Sequence, residues 1–134
     1  MVFSEGIMRR SILLIIECLL IIFVIVVLLG SASAWDGRPS DCPRRAWCGC
    51  YLSYKLFGYN QIYLWRARNW LALGRRVTRP YPGVVAIYAR GRGGHVGLVT
   101  GVTRNGIILL SGNDGGAVRE RERSTRGIIG YRSI

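Results

Sequence analysis

The chain has one histidine, His95, and four cysteines, Cys18, Cys42, Cys48 and Cys50. A thiol and an imidazole are the side chains most often used as nucleophile and general base near neutral pH. Cys48 follows Trp47 and opens the segment CGCYLSYKLF. A thiol at a helix N-terminus faces free N–H groups and the positive end of the helix dipole. Both favour the thiolate, and the same N–H groups can hold a developing oxyanion. A buried structural cysteine is the alternative at this position. His95 sits in Gly93-Gly94-His95-Val96-Gly97. Glycines contribute nothing to packing in a strand, so here they leave the ring accessible.

A thiol–imidazole pair needs a third polar group to orient the ring. Asn113, in Ser111-Gly112-Asn113-Asp114, is the candidate, with Asp114 next in line. Whether Asn113 shares a face with His95 depends on the hairpin between them. A three-residue loop over Arg104–Gly106 sets Gly97 opposite Asn113, with His95 two residues away on the same face. A two-residue loop flips the parity and turns Asn113 away. Turn formation is the competing use of Asn-Asp-Gly-Gly.

The elements that must position these residues follow from periodicity. Residues 48–57 repeat apolar side chains at helical spacing and stop at Gly58. Residues 64–73 predict a second helix with Leu64, Ala67, Trp70 and Leu71 inward and Gly74 as its cap. Pro80 and Pro82 then forbid helix. Strands are expected at 84–89, 95–103, 107–111, 117–123 and 127–132, with Asn105-Gly106 as a hairpin signal. Helices first and an antiparallel sheet second is an α+β order.

Residues 1–34 read differently. Arg9 and Arg10 precede an apolar run from Ile12 to Leu29, and Ala32 and Ala34 form a small-x-small site. The pattern predicts a signal peptide cut after Ala34, or an uncleaved N-terminal membrane anchor. Either way residues 35–134 form one domain, expected outside the membrane as a periplasmic or secreted protein. That domain carries 17 of the 19 Lys and Arg against 5 of the 7 Asp and Glu. So basic a surface suits a polyanion, either wall polymer or an anionic membrane surface. Export argues against nucleic acid. The single His excludes a His-rich metal centre and any mechanism needing two histidines. A Cys₃His zinc set from Cys42, Cys48, Cys50 and His95 is the metal alternative, but its spacing is not that of a usual knuckle. Gly91-Arg92-Gly93-Gly94-His95-Val96 fails the dinucleotide fingerprint. The Arg-Glu alternation at 119–123 predicts a solvated edge strand.

The ordered set Ala46-Trp47-Cys48-Gly49, Pro82-Gly83-Val84-Val85, Gly93-Gly94-His95-Val96-Gly97 and Ser111-Gly112-Asn113 resembles the small papain-like cell-wall hydrolases of the CHAP-like and NlpC-like groups. The likeness covers residues 43–132. It implies a papain-like α+β fold with helices packed on an antiparallel sheet, and a monomer that hydrolyses amide bonds in peptidoglycan without metal or cofactor. Carried over by position, Cys48 is nucleophile, His95 base and Asn113 the orienting residue. Cys50 departs from the small apolar residue usual two positions after the nucleophile, and no side-chain oxyanion donor is identifiable. The three cysteines of residues 35–134 fit the resemblance. If Cys42 and Cys50 pair, Cys48 is the free thiol; all three reduced, with Cys50 in the core, is the other arrangement. A catalytically weak module that binds wall or anionic ligands through its Arg-rich face is the rival to the hydrolase.

Overall fold

The computed structural model describes residues 10, 12–24 and 37–134. The chain divides into two units, residues 1–35 and 36–134, each treated by itself. In the first, residues 12–24 are helical with exposed side chains. Among the described residues no helix is long and apolar enough to cross a membrane. The end of the apolar run (25–29) and the cleavage site after Ala34 lie outside the described residues.

The second unit is α+β. Helix α1 (Cys48–Phe57) is followed by two short 3₁₀ helices, Ile62–Trp65 and Ala67–Ala72. Six strands follow: β1 (Arg75–Val77), β2 (Val85–Tyr88), β3 (His95–Val102), β4 (Ile107–Ser111), β5 (Arg119–Arg123) and β6 (Ile128–Ser133). They form one antiparallel sheet in the order β1-β6-β2-β3-β4-β5.

Helix α1 ends where expected. Gly58 takes the left-handed conformation (φ 79°) and its N–H reaches the Tyr54 carbonyl at 2.9 Å. At the other end the N-cap residue Trp47 makes no side-chain hydrogen bond to the helix. The single helix expected over 64–73 is instead two 3₁₀ turns broken at Arg66, whose backbone is extended. Side chains take the carbonyls a continuous helix would use. Trp70 Nε1 donates to the Leu64 carbonyl at 2.9 Å, and Asn69 Nδ2 donates to the Tyr63 carbonyl at 2.6 Å. The expected apolar face survives, with Leu64, Ala67 and Trp70 buried. Strand β1 was not foreseen: Arg-Arg-Val has no alternating pattern, and pairing with β6 makes it a strand.

Each face of the sheet has its own apolar cluster. Cys48, Leu52, Leu64, Ala67 and Trp70 pack with Val85, Ile87 and Val96. The alternate residues of the same strands, Val84, Ala86 and Val99, pack with Ile107 and Leu109. This is the period-two alternation of a sheet buried on both sides.

The β3–β4 hairpin closes on two residues, Arg104 and Asn105, with Thr103 N–H bonded to the Gly106 carbonyl at 2.9 Å. Near the turn Gly101 faces Ile108 and Val102 faces Ile107. The register then shifts between Val99 and Gly101, so that Val99 faces Leu109 and Leu98 faces Leu110. Thr100 is the extra residue of this bulge. The turn sets the unfavourable parity, and the bulge reverses it. By continuation of the ladder, Gly97 lies opposite Ser111, and His95 shares a face with Ser111.

Candidate active site

Cys48 is the first residue of α1 and is buried, at 3% exposure. The turn that delivers it is tightly made. Ala46, two residues ahead, holds a left-handed backbone (φ 53°), and Trp47 is buried between them. Gly49 is required by space: a Cβ there would lie 2.0 Å from the Leu64 carbonyl oxygen. The Cys48 sulfur faces the backbone N–H of Val96, the residue after His95, together with the N–H groups of Gly49 and of Cys48 itself. Burial pushes the thiol above its ordinary pKa, while these N–H groups and the Arg90 guanidinium pull it down. Burial wins. The thiolate expected from the helix N-terminus alone is therefore not the resting form.

Cys42 and Cys50 form a disulfide, with a Cα–Cα distance of 5.7 Å, and Cys48 is the free cysteine of this unit. The bridge consumes two of the four ligands of the zinc alternative. It packs with Trp47 beside Tyr51, Tyr54 and Trp65. Asn60 ties this corner together, accepting from Trp65 Nε1 at 2.7 Å and donating to Asp41 at 3.0 Å.

His95 opens β3 and is nearly buried. Its Nε2 lies 3.1 Å from Ser111 Oγ, and Ser111 is fully buried at the end of β4. Burial first, and then the positive charge of Arg90, brings the imidazole pKa down to about 4; Arg123 and Arg121 add to this, and the Asp114 carboxylate opposes it. The ring is neutral at pH 7.

The hydrogen bond assigned in sequence to Asn113 is thus made by Ser111. Among the described residues the Asn113 side chain bonds to nothing. Its backbone is left-handed (φ 54°), a conformation in which Asn is several-fold enriched. Asn113 turns the chain so that Asp114 points back inside. Asp114 is buried and accepts from Arg121 Nε at 2.8 Å, and it forms ion pairs with both Arg121 and Arg123. These arginines hold its carboxyl below the usual range against the cost of burial.

The Arg-Glu strand is accordingly more than a solvated edge. β5 is an edge strand, as expected, but Leu109 faces Arg121 and Ile107 faces Arg123, which puts the arginines on the His95 side of the sheet. Glu122 goes elsewhere and accepts from the Thr103 hydroxyl. Gly112 lets the β4–β5 connection approach α1, since a Cβ there would meet Tyr51 Cβ at 2.6 Å and Trp47 at 2.7 Å. Ser111 and the arginines had a sequence signal, since both recur at period two, but reading it required the bulge at Thr100.

A cavity of about 310 Å³ opens beside His95. Tyr88, Ala89 and Leu109 form its apolar walls, and Arg90, Arg123 and Arg126 also line it.

In residues 36–134, helix α1 and two 3₁₀ turns lie against an antiparallel sheet, with an unpaired thiol at the helix N-terminus beside a strand that carries a buried imidazole. The chain belongs to the CHAP domain family, whose model matches residues 30–114. CHAP domains are usually cysteine amidases or peptidases acting on peptidoglycan. No curated protein matches the chain.

Proposed function

We propose that this chain is an exported cysteine hydrolase that cleaves amide bonds in peptidoglycan, with a papain-like domain over residues 35–134. The observation that carries the reading is the free, buried thiol of Cys48 at the uncapped N-terminus of α1, against the residue next to His95, inside a CHAP domain. The Cys42–Cys50 disulfide supports an oxidising compartment. The apolar run over 12–29 supports export, either as a cleaved signal or as a tether.

In this mechanism thiol and imidazole both rest neutral. Nε2–H donates to Ser111, which leaves Nδ1 unprotonated. Nδ1 takes the thiol proton as the Cys48 sulfur attacks the amide carbonyl. The carbonyl oxygen becomes an oxyanion at the free N–H groups of the helix N-terminus. The imidazolium protonates the departing amine, and neutral His95 then deprotonates the water that releases the acyl group. Asp114 and its arginines form the charged background of the ring, and Ser111 fixes its orientation.

Cys48→Ala is expected to abolish release of peptide fragments from purified peptidoglycan while circular dichroism and melting temperature stay near wild type. Hydrolysis by purified Cys48→Ala protein would sink the mechanism. A second reading, a wall-binding module, is favoured by one observation: both Cys48 and His95 are buried, which raises the thiol pKa and lowers that of the imidazole. On that reading the wild type hydrolyses nothing, and Cys48→Ala binds peptidoglycan as well as wild type does.

A further inference from the structure

We propose that the cavity beside His95 is a subsite for a carboxylate side chain of the substrate peptide, held by Arg90, Arg126 and Arg123. The inference deepens the hydrolase reading and rests on it for the identity of the ligand as a peptide.

Three segments supply the three guanidiniums. Arg90 comes from the β2–β3 loop, Arg123 from the end of β5 and Arg126 from the β5–β6 turn. No local repeat brings them together; the fold does. Arg123 already shares the buried Asp114 carboxylate with Arg121. Arg90 and Arg126 have no acidic partner among the described residues. The cavity therefore keeps an excess of positive charge that no acidic side chain among the described residues pairs with. A guanidinium presents a planar fork of donors that matches a carboxylate.

The walls narrow the choice further. Tyr88, Ala89 and Leu109 offer apolar surface, and the Tyr88 hydroxyl is already spent on the Ser124 carbonyl at 3.0 Å. A ligand with methylene groups behind its anion, such as a glutamate-like side chain, uses both the walls and the arginines. A bare phosphate uses only the arginines. The cavity also adjoins the proposed base, because His95 itself lines it, and Val96, the next residue, meets the Cys48 sulfur. A peptide whose amide reaches Cys48 can place a neighbouring side chain here. Arg123 and Arg126 lie beyond residues 30–114, the part of the chain that the family model matches.

The test uses the full chain carrying Cys48→Ala, and two peptides that differ in one charge: N-acetyl-Ala-Glu-Ala-amide and N-acetyl-Ala-Gln-Ala-amide. His95 is the sole histidine, so its ring resonances report binding at this cavity without assignment of others. The Glu peptide is expected to bind at least about tenfold more tightly than the Gln peptide, the size of one charge-assisted contact. Adding Arg126→Gln, or Arg90→Gln, is expected to reduce that preference to less than about twofold. Equal affinity for the two peptides overturns the proposal, as does a preference that survives both arginine substitutions. Inorganic phosphate that moves the His95 resonances at lower concentration than the Glu peptide also overturns it, in favour of a phosphate site. Hydrolysis of peptidoglycan by wild type is assayed in parallel. Discrimination without hydrolysis supports the subsite and overturns the hydrolase reading; hydrolysis without discrimination does the reverse.

Discussion

The two faces of the sheet are built on different physics. On the α1 face the sheet meets Leu52, Leu64 and Trp70, and the Cys48 thiol packs among them with its sulfur against the Val96 N–H, one residue from His95. On the opposite face, past Val99 and Leu109, lie His95, Ser111, Asp114 and the arginines of β5. Close packing holds the nucleophile in place, whereas the imidazole sits in a network of charges and hydrogen bonds. Both environments suppress ionisation, though by different balances. Around Cys48, burial outweighs three N–H groups and one arginine. Around His95, burial and arginines act together against one carboxylate. The difference teaches that the helix N-terminus does not set the resting charge of this thiol. It is ready for an oxyanion more than for a thiolate.

The comparison breaks most readily with pH, which acts on the charged face. The folded pKa of His95 is depressed from 6.5 to about 4. An unfolded chain therefore binds a proton that the folded one refuses between those values. The stability that neutral His95 contributes is complete above pH 6.5 and is lost as pH falls toward 4, by an amount on the order of 3 kcal/mol. Asp114 adds its own loss only at lower pH, because its folded pKa lies below 3.8. Urea unfolding at pH 7 and pH 4.5 measures the first effect. His95→Gln should flatten the slope across that window; an unchanged slope would place the titration elsewhere.

The packed face is tested by reduction. The bridge spans eight residues of sequence and fixes the approach to α1. Opening it is expected to cost about 2–3 kcal/mol by the entropy of loop closure. Melting of the Cys42→Ala/Cys50→Ala double variant against wild type checks this, with His95 resonances expected to move little.

The smallest effect sharpens the assignment of the third residue. Ser111→Ala removes the partner of His95 Nε2 and should lower hydrolysis by about three- to tenfold, the worth of one hydrogen bond. Asn113→Gly keeps the left-handed turn and removes the amide, and should leave the rate within about twofold. The reverse ranking would return the orienting role to Asn113.

Most of the fold was legible from periodicity. The residues of α1, five of the six strands and the strand alternation follow from patterns that burial imposes. The break at Arg66 was not legible, because it depends on Trp70 and Asn69 donating to carbonyls that a helix pattern assigns to the backbone. Strand β1 was invisible for a related reason: its partner β6 lies more than 50 residues away. Within the site, Cys48 and His95 stood out by residue type and by their glycine neighbours. Asn113 stood out as well, but for its turn propensity rather than for an orienting bond.

By itself the sequence determined the reactive residue types, the order of helix and strands, and the family, because these depend on composition and short-range spacing. Tertiary structure alone decided which cysteines pair, which polar group meets His95, and where the arginines converge. The last two hang on one extra residue at Thr100, on the pairing of β5 with β4, and on the long-range pairing of β6 with β2. In a sheet, a shift of one residue moves every later side chain to the other face, so no local reading could have fixed them.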